Sequence, residues 1–86
     1  MRRIEPTPRF NRLLASFLDA HPNLEEKVFT VMKRLAQNPR DAKAHPLSGE
    51  MKGCYAASIT LSYRIIFSLE TDAIWFIAIG SHDDVY

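Results

Sequence analysis

Six side chains of this 86-residue chain could do chemistry beyond folding: His45, Glu50, Lys52, Arg64, His82 and Tyr86. A guanidinium and an ammonium stabilise negative charge, such as the charge that builds on a phosphate in transit between two esters. Imidazole, with an ordinary pKa near ~6.5, moves a proton close to neutrality. An aromatic ring stacks on a base. Together, on one concave face, such a set suits phosphodiester chemistry. The six are spread from position 45 to position 86, so only the fold can gather them. The densest stretch is the closing "IGSHDDVY", where an imidazole, two carboxylates and an aromatic ring directly follow a very apolar run. That stretch is either a solvated end or half of a site. The carboxylates lack the clustering that holds magnesium. Cys54, the single cysteine, has no companion thiol for a disulfide or a zinc pattern and reads as a small core-facing residue. This reading needs no metal and no cofactor.

The elements that would position these residues follow from periodicity. "RRIEPT" is short and extended, and its proline limits it to an edge strand. Thr7 then Pro8 reads as N-cap and first helical position, and Phe10, Leu13, Leu14, Phe17 and Leu18 follow at helical spacing. Pro22 breaks that helix, which places His21 in a helix-end turn with a structural role. Asn23 and Glu26 have the spacing of a capping box, and Leu24, Val28, Val31, Met32 and Leu35 form the apolar stripe of a second helix. Asn38-Pro39 stops it. "PRDAKAHPLSGEMKG" is a polar connection. After it "CYAASITL", "YRIIFSL" and "AIWFIAI", rich in β-branched and aromatic residues, read as strands, the last two joined by Glu70-Thr71-Asp72. The order is β-α-α-β-β-β, an α+β domain over 1–86 with two helices on one face of a mostly antiparallel sheet. In that sheet Arg64 projects from a strand with apolar neighbours on both sides. The hairpin returns Ile79 and Gly80 beside the start of that strand, and with them His82 and Tyr86.

Composition sets bounds on function. The hydrophobic fraction of 47% and charged fraction of 24% are those of an ordinary globular domain. The apolar run from Ala73 to Ile79 is too short to span a bilayer, and "MRRIEPTPRF" has no apolar stretch of the kind that leads a secretory signal. A cytoplasmic protein with no membrane partner is the expectation. Net charge is +1, unevenly divided: residues 1–44 hold nine Lys/Arg against five Asp/Glu, and residues 45–86 hold two against five. The basic first half points either to a polyanionic or acidic partner or to ordinary solvated helix faces.

The element order, the block "HPLSGEMKG", the strand "YRIIF" and the ending "IGSHDDVY" resemble the RelE/ParE superfamily of bacterial toxin–antitoxin toxins over nearly the whole chain. The "HPL" to "KG" block and the Gly-Ser-His ending lean toward the YafQ-like and YoeB-like mRNA endonucleases. The resemblance implies metal-independent cleavage of mRNA in the ribosomal A site, by attack of a ribose 2′-hydroxyl on the adjacent phosphate. The products are a 2′,3′-cyclic phosphate and a 5′-hydroxyl. It implies Arg64 as stabiliser of the pentavalent phosphate and His82 as general acid or base. It further implies roles for His45 before Pro-Leu, Lys52 near the substrate backbone and Tyr86 in positioning RNA, with Glu50 as a second proton acceptor. The partners it implies are a cognate antitoxin and mRNA on the ribosome.

The chain also departs from the pattern. YafQ-like toxins carry a His and an Asp where this chain has Ser58 and Ser62, and the strand arginine belongs instead to the RelE and YoeB branches. The sheet half is acidic, where ribosome-directed relatives are basic. A ParE-like gyrase poison, or a toxin that only binds its antitoxin, are therefore the alternatives. Each residue has a plainer reading too. His45 can simply hydrogen-bond in a loop, Lys52 and Glu50 can be solvated loop charges, and Tyr86 can pack over the sheet edge.

Overall fold

The structure, a computed structural model, describes residues 1–39 and 44–85, without the side chains of Glu50 and Asp84. Its first strand, β1 (Arg3–Pro6), leads through Thr7 into α1 (Pro8–Ala20). Thr7 caps that helix as its sequence suggests: its Oγ1 accepts from the Phe10 amide at 3.1 Å and donates to the Phe76 carbonyl at 2.9 Å. α1 buries Phe10 and Phe17 and packs Leu13, Leu14 and Leu18 partly beneath it. His21 closes the helix, its amide donating to the Phe17 carbonyl. Its ring lies 4.7 Å from both the Phe17 and Tyr63 rings, in the structural role expected of it.

The second helix, α2 (Glu25–Gln37), begins differently from the capping-box reading. Pro22–Leu24 forms a short 3-10 turn that takes up Asn23, and Leu24 occupies the cap position without a side-chain cap. Glu25 and Glu26 in the first turn and Arg34 in the last complement the helix dipole instead. Val28, Val31, Met32, Leu35 and Ala36 are buried.

Five strands form one sheet in the order β1-β5-β4-β3-β2, with the short β2 (His45–Pro46) at one edge and β3 (Cys54–Ser58), β4 (Tyr63–Leu69) and β5 (Ala73–Ser81) at its centre. β1 runs parallel to β5, and the other pairs are antiparallel. Three features go beyond the expected strands. Within the polar connection, His45–Pro46 forms a short strand, β2, paired with β3. The third strand stops at Ser58 rather than continuing through "ITL": Thr60 Oγ1 accepts from the amides of Ser62 and Tyr63, both at 3.2 Å, which folds the segment into a turn. A short helical turn, α3 (His82–Val85), follows β5.

Both expected helices lie on one face of the sheet, over Ala57, Ile65, Phe67, Ile74, Phe76 and Ile79. A bulge lets Phe76 and Ile79, three apart, both face the helices: Ile66 pairs with Ala78 and Phe67 with Phe76, leaving Ile77 as the extra residue. On the other face a smaller apolar cluster joins Ala56, Ile66, Ala78 and Val85, with Leu47, Met51, Cys54 and Ile77 packed against it. Among the described residues no helix is long and apolar enough to cross a membrane.

Candidate functional site

The alternation of side chains along β4 decides which residues can share a surface. Tyr63, Ile65, Phe67 and Leu69 belong to the helix-side core, so Arg64, Ile66 and Ser68 face the other way. Residues directly opposite on paired strands share a face. Arg64 pairs with Ser58 on β3 and with Gly80 on β5. The helix-free face therefore carries a row Ser58–Arg64–Gly80, with Ala56, Ile66 and Ala78 in the next row. The expected return of Gly80 to Arg64 is thus a matter of strand register. Arg64 is half-buried and its Nε is shielded from water. Its neighbours in the row, Ser58 and Gly80, are small.

His45 is exposed on β2, opposite Ala56. It lies two strands across and two residues along from Arg64, which strand spacing and rise translate to about 12 Å between Cα atoms. At that separation two long side chains can reach one substrate without touching each other. The loop after β2 is shaped by two glycines with positive φ, Gly49 at 67° and Gly53 at 93°, conformations costly for any side chain. Between them Met51 and Lys52 donate backbone hydrogen bonds to Ser48 and Gly49, at 3.3 Å and 3.1 Å. Leu47 donates to the Cys54 carbonyl at 2.9 Å, folding the loop back on the sheet. Lys52 is exposed at the end of this loop. Glu50 has its backbone in the 3-10 turn of the loop, and its side chain lies outside the described residues. Tyr86 lies outside them as well.

His82 opens α3 immediately beyond β5. With Leu47, Ser48 and Met51 it lines an open cavity of about 340 Å³. The closing segment and the "HPLSGEMKG" loop, separated by nearly the whole sheet in sequence, are therefore neighbours on the helix-free face. His82 Nδ1 is 3.7 Å from Asp83 Oδ1, and both side chains are largely exposed, so this contact restrains the ring little. Arg64, His45 and His82 are thus gathered on one face, and Lys52 sits on the loop that borders it. Among the described residues no group of three His, Cys, Asp or Glu could hold a metal ion.

The sequence reading missed Val85, Leu47 and Met51. Val85 is 4% exposed despite its acidic surroundings, and together with Leu47 and Met51 it covers the helix-free face beside the site. The one signal for it was an apolar residue isolated within "SHDDVY". Elsewhere, Arg3 pairs with Asp72 at 2.9 Å and holds that carboxyl below its ordinary range, chiefly by hydrogen bonding. This pair sits at the opposite end of β5 from Gly80.

A helix pair packed against a five-stranded mixed sheet is a fold shared with solved toxin structures. Residues 2–86 match the family model described as a bacterial toxin of type II toxin–antitoxin systems, YafQ. The chain belongs to the YafQ family of type II toxins. The crystal structure of YafQ from E. coli superposes with a TM-score of 0.86 at 23% identity, covering 100% of this chain and 99% of that one. A second E. coli structure, of the DinJ–YafQ complex, matches with a TM-score of 0.83 at 24% identity over 100% and 99% of the two chains. The YoeB–YefM complex from Staphylococcus aureus matches with a TM-score of 0.77 at 16% identity over 95% and 98%. No curated protein sequence matches the chain.

Proposed function

We propose that this toxin is a ribosome-dependent endoribonuclease of the cytoplasm that cuts mRNA and is held inactive by a cognate antitoxin. The observation that carries this reading is the register Arg64↔Gly80, with His82 two residues further on against the loop of Leu47, Ser48 and Met51. That arrangement puts a fixed cation and a proton-transfer group on one open surface, as cleavage by an internal nucleophile requires. In the reaction the ribose 2′-oxygen attacks the adjacent phosphorus and its proton passes to a base. The bond from phosphorus to the 5′-oxygen then breaks, and that oxygen takes up a proton to leave as a hydroxyl. Arg64 stabilises the negative charge of the pentavalent phosphate. In this reading His82 exchanges one of the two protons and His45 the other. Glu50 is the second candidate for that proton, while Lys52 and Tyr86 hold the substrate backbone and a base.

The antitoxin partner is supported by family membership and by the neighbours solved as toxin–antitoxin complexes, DinJ–YafQ and YoeB–YefM. Pulse-labelling after induction tests the reading. Protein synthesis should fall first, and co-expression of the adjacent small reading frame should restore growth. DNA-damage signalling with translation intact would overturn the nuclease in favour of a gyrase poison. Growth with neither effect would point to a toxin that only binds its antitoxin.

A further inference from the structure

We infer that Val85 is the positioning residue of the site: by seating in the small apolar cluster on the helix-free face it fixes where His82 stands. The inference rests on the nuclease reading for its activity readout, though not for its structural one. The His82 side chain is 67% exposed, so burial of the ring does not hold it, and the backbone on either side sets where its Cα stands. Upstream, that backbone is fixed by sheet pairing as far as Ser81, opposite Tyr63. Downstream, α3 is four residues long, and an isolated helical turn does not persist in water because nucleation is unfavourable. It therefore needs a tertiary anchor. Val85 is the only apolar residue from Ser81 to Val85, and it is 4% exposed.

The anchor is built from both sides. The floor is Ala56, Ile66 and Ala78, and the two alanines make a shallow seat that a branched side chain fills. Leu47 and Met51 pack against the same cluster, and the same two residues line the cavity with His82. On a helical turn residues three apart are neighbours, so Val85 in its seat places His82 at the rim of that seat. One cluster therefore clasps both segments that carry candidate residues, the closing segment with His82 and the loop that follows His45.

The test compares Val85→Ala and Val85→Ile in the full chain, alone and with His82→Ala. The probe is mRNA cleavage on programmed ribosomes, beside NMR of the His82 ring and amide exchange along residues 81–85. A misplacement of about 1 Å in a reacting group costs up to about a hundredfold in rate. Val85→Ala should accordingly lower kcat about 10- to 100-fold with KM nearly unchanged. It should also shift the His82 ring signals and speed exchange in 81–85 while α1 and β4 keep their protection. Val85→Ile should restore most of the rate, and in the His82→Ala background Val85→Ala should add nothing. Unchanged His82 ring signals and exchange in Val85→Ala would overturn the inference, as would a rate loss additive with that of His82→Ala. Should the wild-type protein fail to cut mRNA, the nuclease reading falls and the NMR comparison alone decides the role of Val85.

Discussion

Replacing Thr7 by Val should lower the melting temperature of this toxin by about 10 °C without touching its chemistry. Thr7 Oγ1 makes two bonds, accepting from the Phe10 amide at 3.1 Å and donating to the Phe76 carbonyl at 2.9 Å. Valine keeps the shape and suits the extended backbone of Thr7, at φ −75° and ψ 158°. It keeps neither bond. Loss of an N-cap costs about 1 kcal/mol, and here the amide left without that acceptor belongs to fully buried Phe10. The Phe76 carbonyl still accepts from the Thr7 amide at 3.0 Å, so losing the hydroxyl adds no more than about 1 kcal/mol. For a domain of this size each kcal/mol shifts the midpoint by about 5 °C, hence about 10 °C for roughly 2 kcal/mol. Thr7→Ser, which keeps the oxygen, should recover most of the loss. Thermal unfolding followed by circular dichroism measures this, and translation arrest below the transition should be unchanged. A Thr7→Val protein melting within about 2 °C of wild type would refute the reasoning that one hydroxyl ties β5 to the start of α1.

Arg64→Ala should slow cleavage about 10²- to 10³-fold, the usual loss for one transition-state donor, with a small stability change from the lost stem packing. Arg64→Lys should recover only part of the rate in the same assay, because an ammonium lacks the planar fork of a guanidinium. At the other end of β5, Arg3 holds the Asp72 carboxyl below its ordinary range in the folded protein. That pair therefore contributes stability above the ordinary carboxylate range, and the contribution is lost as pH falls through the lowered value. Melting temperatures measured against pH should fall less steeply on the acid side for Asp72→Asn, and parallel acid limbs would contradict this.

Local rules made much of this fold legible. Thr7-Pro8 reads as a helix start because capping and a fixed φ act within four residues. The meeting of Gly80 with Arg64 follows because a short hairpin connection leaves little freedom in register. What escaped the sequence depended on distant partners. His45–Pro46 becomes a strand only because Tyr55 and Ala56 offer an edge to pair with. "ITL" has strand propensity, yet the amides of Ile59 and Thr60 both donate to the Tyr63 carbonyl, and the Thr60 hydroxyl accepts from Ser62 and Tyr63, which closes a turn instead. Asn23 has capping-box spacing, but Pro22 opens a 3-10 turn that takes it up. Val85 shows no periodicity within a short acidic stretch, and its burial depends on a seat made by three strands. The roles of Glu50 and Tyr86 rest on the family pattern.

His82 is the residue whose removal tests the proposed cleavage most directly. Ribosomes programmed with a defined mRNA are incubated with wild-type protein and with His82→Ala, and the ends of the fragments are identified. The wild type should leave a 2′,3′-cyclic phosphate and a 5′-hydroxyl. His82→Ala should cut about 10²- to 10⁴-fold more slowly, the usual loss for a general acid or base, while melting at nearly the wild-type temperature as befits an exposed side chain. A His82→Ala protein that cuts at the wild-type rate would contradict the account, and "IGSHDDVY" would then be a solvated end with the chemistry elsewhere.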